Sequence, residues 1–305
     1  PPSALPMVEA VANHAAYRAS NDRWALGRFV VPVARLDAFQ EAAAPYLGSG
    51  TPWELSALVG DDPAADALRV AAFHRWAEGR ARVVAIEARA GDAARVAAVT
   101  TAFPPHSPRE TAPGLEVWLE VPWALVPEVA GAREEAAESD AELRALLRAI
   151  HGAGGFAKAR TGGVTQDLFP SPERLLVFLR AAVDEGVRFK ATAGLHHPLR
   201  GSYPLTYAPD APMGVMFGYL NVLLATAVLR AGGSDEEGLA ALVESDSAAL
   251  SFGAEALGWG RFRFDAKELA DLRARTLGGF GSCSLREPVD ELGGMLSGMG
   301  PANMD

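Results

Sequence analysis

Phe156-Ala157-Lys158-Ala159-Arg160-Thr161-Gly162-Gly163 and Phe189-Lys190-Ala191-Thr192-Ala193-Gly194 are the two phrases that decide the fold. Each is a short apolar-rich run that ends on glycine, as a strand does where it exits into a loop. Between them, Ser171-Pro172-Glu173 opens a segment of helical spacing that closes near Gly186. Serine followed by proline in the first turn is a helix-start signal. Strand, helix and strand in this order predict a parallel βαβ unit, with strands at Phe156–Arg160 and Arg188–Ala193.

The alternation continues in both directions. A helix at Met7–Ala19 precedes predicted strands at Arg28–Val33, Glu54–Val59, Arg82–Glu87 and Leu115–Val121. Helices are expected between and after them at Arg35–Tyr46, from Asp61-Asp62-Pro63 to about Glu78, at Asp92–Thr101 and at Pro127–Ile150. Beyond Gly194 comes a loop with Pro198, Pro204 and Pro209, then an apolar stretch, Met213–Leu229, that reads as a buried helix. A shorter helix at Glu236–Glu244, a strand at Ala249–Phe252, a helix at Asp265–Thr276 and a strand at Phe280–Ser284 complete the pattern. Eight strand–helix units predict an α/β fold, a (β/α)8 TIM-type barrel with an extra N-terminal helix. An open doubly wound sheet is the competing architecture. No linker or composition break divides the chain, so one barrel domain over residues 1–305 is expected, with a helical extension over 1–22 and a loose tail over 294–305.

The chain is 49% hydrophobic, enough to bury a large core. Its net charge of −10 argues against a nucleic-acid or polyanionic-membrane partner. No apolar run is long enough to span a bilayer, and Pro1–Met7 does not read as a signal peptide, so a cytoplasmic protein is expected. A single cysteine, Cys283, excludes an internal disulfide and a multi-cysteine zinc site. No dinucleotide-binding glycine phrase or P-loop is present, and no cofactor or metal is expected.

Lysine usage carries the chemical signal. Of 28 Lys and Arg residues only Lys158, Lys190 and Lys267 are lysines, and two of them lie in the opening pair of phrases. Arginine stays protonated in a protein, whereas a desolvated lysine can become a neutral nucleophile or base. Side chains alternate along a strand, which puts Lys158 with Arg160 on one face and Lys190 with Thr192 on one face. The two lysines are expected side by side near the strand ends, where burial and mutual repulsion favour one neutral amine beside one cation. A neutral amine attacks a carbonyl to form a Schiff base. The competing role is an ion pair to Glu87 or Glu120, the acidic residues nearest the ends of their strands.

The phrases Ala157-Lys158-Ala159-Arg160-Thr161-Gly162-Gly163 and Phe189-Lys190-Ala191-Thr192-Ala193-Gly194 resemble the two lysine strands of class I aldolases of the deoxyribose-phosphate aldolase type. The resemblance covers about 15 residues and implies that Lys158 is the Schiff-base lysine and Lys190 its perturber. Glu87 is the nearest counterpart of that family's acidic proton relay, and Arg160 stands where the family has a small hydroxyl residue.

Around the lysines the sequence assembles a positive focus suited to a small anionic metabolite. Arg160 and Arg200 are candidates to fork onto a phosphate or carboxylate. Thr161, Gly162, Gly163 and Gly194 would let backbone N–H groups approach an anion. Thr192, His196, Ser284 and Arg286 join the same candidate binding set, Arg286 from the loop after the last strand. Lys158, Lys190, Glu87, Glu120 and His197 form the candidate catalytic set, with His197 as a proton shuttle. Cys283 has no activating neighbour in sequence and reads as a buried structural thiol. The expectation is a lyase-like enzyme; an anion-clamp transferase, isomerase or decarboxylase and a non-catalytic metabolite-binding protein are the alternatives. A homo-oligomer built on the Met213–Leu229 stretch stays open.

Overall fold

The computed structural model describes residues 5–48, 50–105, 114–128, 134–253 and 255–298. In chain order the elements are α1 (Met7–Arg18), β1 (Phe29–Pro32), α2 (Leu36–Ala43), β2 (Trp53–Leu58), α3 (Pro63–Ala77), β3 (Ala81–Arg89), α4 (Ala93–Ala102) and β4 (Glu116–Glu120). They continue with α5 (Glu134–Gly152), β5 (Phe156–Arg160), α6 (Pro172–Asp184), β6 (Phe189–Thr192), β7 (Gly201–Pro204), β8 (Met213–Met216) and α7 (Tyr219–Arg230). The last are α8 (Asp235–Val243), β9 (Leu250–Phe252), β10 (Ala256–Trp259), β11 (Phe262–Asp265), α9 (Ala266–Arg275), β12 (Leu277–Gly281) and α10 (Arg286–Gly298). Seven strands form a parallel sheet in the order β1-β2-β3-β4-β5-β6-β12, which makes this an α/β fold. None of the described helices is long and apolar enough to cross a membrane.

The sheet is not the closed eight-stranded barrel that the strand–helix count predicts. The expected seventh strand, Ala249–Phe252, is β9, and it pairs antiparallel with β10 in a separate sheet ordered β11-β10-β9. A two-residue turn at Gly260-Arg261 joins β10 to β11, and Gly260 takes a φ of 55° there. A turn that tight forces antiparallel pairing, so this segment cannot contribute a crossover strand. The proline-rich loop holds a second surprise, because β7 and β8 pair as an antiparallel hairpin. The apolar stretch from Met213 therefore begins as a strand, and its helix starts only at Tyr219. A short apolar run reads alike as buried strand or buried helix, which is why the sequence pattern merges them.

Three boundaries also shift. β12 starts at Leu277, so Gly278-Gly279 lie within it at a register irregularity, and Ser282, Cys283 and Ser284 fall past its end. The tail expected from residue 294 is helical in α10 as far as Gly298, and 299–305 lie outside the described residues. The helix expected from Pro127 does not begin there, since Pro127 and Glu128 are not helical; α5 is described from Glu134, and 129–133 lie outside the described residues. The N-terminal helix lies at Met7–Arg18, and Pro1 to residue 4 are likewise outside the described residues.

By contact density the chain divides into two compact units, one of residues 4–121 with Ala149–Phe156, the other chiefly Pro122–Arg148 with 157–305. The first unit stacks β1 to β4 in register, with Phe29 beside Leu55, Leu55 beside Val83 and Ile86 beside Val117. Its core is a chain of rings: His14 meets Phe29 edge-on at 5.3 Å and lies 4.8 Å from Trp53, while Phe39 meets Phe73 at 5.9 Å. Asp62 caps α3 by accepting the Ala65 N–H at 3.0 Å, and Pro63 occupies the first turn. In the second unit α6 and α7 cover one face of β5, β6 and β12. Phe178 of α6 meets Phe189 of β6 at 5.4 Å with rings at 89°, and Tyr219 of α7 stacks on Phe280 of β12 at 4.6 Å.

Burial is the larger reason, and the Arg18 charge the smaller, that His14 is held down to a pKa of about 4, so it is neutral in the folded protein. The unfolded chain takes up that proton near pH 6.5 and the folded one does not, so this contribution is complete above pH 6.5 and is lost as the pH falls toward 4. Replacing His14 with Phe removes the titration and keeps a ring in the cluster. Urea unfolding at pH 7 and pH 4 should show the variant gaining about 3 kcal/mol on the wild type at the lower pH.

Candidate functional site

β5 and β6 pair with Ala157 beside Phe189, Lys158 beside Lys190, Ala159 beside Ala191 and Arg160 beside Thr192. β12 adds Phe280 beside Ala191 and Gly281 beside Thr192. Registered neighbours in a parallel sheet share a face. Phe189, Ala191 and Phe280 take the helix-covered face, so Lys158, Lys190 and Thr192 take the other. Lys158 is buried, at 9% exposure, and Lys190 is half-buried. Adjacency of the two lysines, expected from strand alternation, is what this register produces.

Past β6 the backbone turns sharply. Ala193 has φ 69° and Gly194 φ 73°. A β-carbon makes that region unfavourable, so Ala193 is strained and has to be held. Thr161, fully buried, does so: its N–H donates to Thr192 O at 2.8 Å and its hydroxyl to Ala193 O at 2.7 Å. The room beside the nearby glycines is filled by side chains. A Cβ on Gly162 or Gly194 would meet the Phe169 ring at 2.5 or 2.7 Å, and one on Gly163 would meet Leu168 at 2.3 Å. These glycines admit Phe169 and Leu168 rather than holding open a cradle for an anion.

The loop that follows is fastened to α7. Tyr219 N–H donates to His197 O and Leu220 N–H to Pro198 O, both at 3.0 Å, so two helix-start donors are satisfied by loop carbonyls. Gly218 sits so close that a Cβ there would lie 2.2 Å from Pro198 O. Asn221, with no exposed surface, makes four hydrogen bonds. Its Oδ1 accepts from Arg200 N at 2.7 Å and Gly218 N at 3.2 Å, and its Nδ2 donates to Ala241 O and Glu244 O at 2.8 Å each.

On this support both histidines are buried, and each meets its own glutamate on α10. His196 Nδ1 lies 3.0 Å from Glu287 Oε2, and His197 Nδ1 lies 2.8 Å from Glu291 Oε2. Glu287 and Glu291 are four residues apart and so share one helix face. Tyr203 stacks on His197 with ring centres 3.4 Å apart. Tyr207 donates to Glu287 Oε2 at 2.6 Å. Cys283 Sγ stands 3.6 Å from His196 Nε2 and 3.6 Å from the Tyr207 hydroxyl, and Ser282 Oγ is 3.2 Å from His196 Nδ1. Burial, the largest influence on His196, lowers its pKa, but the contacts with Cys283 and Glu287 outweigh burial and the net direction is upward. Burial, and after it the contacts with Glu287 and Cys283, push the Tyr207 phenol far upward, so it stays protonated.

The remaining predicted residues disperse. Arg200 lines a cleft of about 250 Å³ with Gln166, Phe169, Ser171, Val215 and Phe217. Among the described residues no carboxylate pairs with Arg200, which leaves the cleft cationic. Lys158, Lys190 and Arg160 do not line it. Arg160 is exposed and donates to Gly162 O at 3.2 Å. Ser284 Oγ accepts the Glu287 N–H at 3.3 Å, and Arg286 is engaged by Asp290 one turn along α10. Glu87 and Glu120 belong to the first unit, on one face of β3 and β4. Glu87 is buried and accepts the Ser56 hydroxyl at 2.7 Å.

Glu287, Glu291, Tyr203, Tyr207 and Asn221 escape the sequence reading, and Cys283 is half-buried beside a histidine rather than an isolated core thiol. One signal was available: Asn221 is a lone amide inside an apolar run. The chain matches no protein-family model, no curated protein and no solved structure.

Asn221→Ala orphans two buried carbonyls and two N–H groups at once. The expected cost is about 3 kcal/mol, read from chemical denaturation.

Proposed function

We propose that this chain is a lyase-like enzyme that forms a Schiff base with a small phosphorylated or carboxylated carbonyl compound. The observation that carries the reading is the β5–β6 register, which sets buried Lys158 directly beside Lys190. Burial disfavours an ammonium ion, and a second ammonium alongside disfavours it further. Lys158, the more buried of the two, is the nucleophile; Lys190 keeps its charge and perturbs it. The lysine nitrogen attacks the carbonyl carbon and water leaves, giving an iminium that accepts the electron pair of the adjacent carbon–carbon bond as it breaks. His197 is the candidate for moving protons. Arg160, on the same strand face as Lys158, is the candidate to hold an anionic group of the substrate; the Arg200 cleft is lined by neither lysine.

The proposal places the action in the cytoplasm, on a small metabolite rather than nucleic acid, in keeping with the net charge of −10. Its likeness to barrel enzymes rests on the lysines lying two residues before the C-terminal ends of parallel strands, the end at which α/β enzymes place their chemistry.

Borohydride reduction in the presence of a panel of small phosphorylated and carboxylated aldehydes and ketones tests the reading by intact mass. A reduced adduct should map to Lys158 or Lys190 and disappear in the Lys→Met variant of that position. Turnover of the trapped substrate should fall by about 10³-fold or more in that variant. No adduct from the folded protein across the panel overturns covalent catalysis and leaves an anion clamp acting through fixed cations.

A further inference from the structure

Cys283 is the only cysteine in the chain, which makes any thiol chemistry of this protein its own. It lies between β12 and α10, half-buried, and its sulfur is 3.6 Å from His196 Nε2 and 3.8 Å from Nδ1. Of the two ring nitrogens Nε2 is the nearer to the sulfur. Glu287 takes the Nδ1 side of the ring at 3.0 Å, which leaves Nε2 as the nitrogen to accept a proton from the thiol. Nucleophile, base and a carboxylate that orients the base are thus assembled from three separate segments. One further feature favours an anionic sulfur: Ser284, the next residue after Cys283, caps the start of α10, whose positive end stabilises a neighbouring thiolate. The titratable groups facing the sulfur are His196 from the loop after β6, Tyr207 from the β7–β8 hairpin and Glu287 from α10; His197 and Glu291 form the adjoining pair.

We propose that Cys283 is a nucleophilic thiol with His196 as its base and Glu287 as the positioning residue, and that it takes up the acyl group of an activated ester or thioester. The thiol proton moves to His196 Nε2. The sulfur forms a bond to the acyl carbonyl carbon while the carbonyl electron pair moves onto oxygen. When the oxygen pair returns, the bond to the leaving alkoxide or thiolate breaks, and that group departs with the proton from His196. Water, deprotonated by His196, then attacks the thioester and releases the acid with Cys283 as thiolate. This site stands apart from the lysine reading. Borohydride adducts report on Lys158 and Lys190, thiol reactions on Cys283, and either can fail without the other.

The test is the pH dependence of iodoacetamide alkylation, followed by intact mass, together with acetylation by p-nitrophenyl acetate at pH 7. An ordinary thiol ionises near pH 8.5 and loses about 50-fold in rate between pH 8.5 and 6.5. Cys283 should lose less than about 5-fold, and His196→Gln should restore the ordinary fall. A single acetyl group should appear on the wild type, be absent in Cys283→Ser, and form at least about 10-fold more slowly in His196→Gln. Circular dichroism verifies that the variants are folded; if His196→Gln is not, Glu287→Gln serves, with a fall between the two limits. An ordinary fall in the wild type, or no acetyl group on Cys283, overturns the proposal.

Discussion

The buried amide of Asn221 is the constraint on which the second unit depends. Its four hydrogen bonds tie the chain at Arg200 and Gly218 to the end of α8, and each partner is a backbone group that would otherwise be orphaned. The net value of any one such bond is about 1 kcal/mol, but breaking the set exposes the cost of leaving buried polar groups unpaired. With the loop pinned there, His197 and Pro198 can present their carbonyls to the first turn of α7. The backbone of the two histidines is thereby fixed before their side chains meet any partner. A polar group in an apolar helix is tolerated only when fully satisfied, and here its satisfaction defines one loop conformation.

A second constraint acts at the end of β6. Ala193 sits in a left-handed conformation that a residue with a β-carbon avoids, and Thr161 holds it with a hydroxyl bond to its carbonyl. That clamp joins the exit of β5 to the exit of β6, the strands that bear Lys158 and Lys190. Phe169 fills the space that Gly162 and Gly194 leave, so the turn is packed as well as hydrogen-bonded.

Electrostatically the unit gathers opposite charges in alternation. α10 presents Glu287 and Glu291 on one face, each opposite a histidine, and Tyr207 and Cys283 add groups whose protons can be shared. At His196 the contacts with Cys283 and Glu287 outweigh burial and raise the proton affinity of the imidazole. Arg200, one turn of loop away in sequence, faces a different cleft, so its cationic character is not spent on the glutamates.

The sequence by itself determined the parallel βα elements and the side-by-side lysines. Both depend on local periodicities: apolar runs and caps such as Asp62 and Ser171 mark the elements, and alternation along β5 and β6 fixes which side chains share a face. Only the tertiary structure decided that Ala249–Phe252 leaves the main sheet for an antiparallel one, and that Met213–Met216 is a strand of a hairpin. Apolar runs have no sense of pairing direction, and pairing partners lie far apart in sequence. The grouping of Cys283, His196 and Glu287 was illegible for the same reason. His196 and Cys283 stand 87 positions apart, and it is the side-by-side pairing of β6 and β12 that places the loops after them together. Periodicity reports which way a side chain faces along its own element; which other side chain it meets is set by long-range packing.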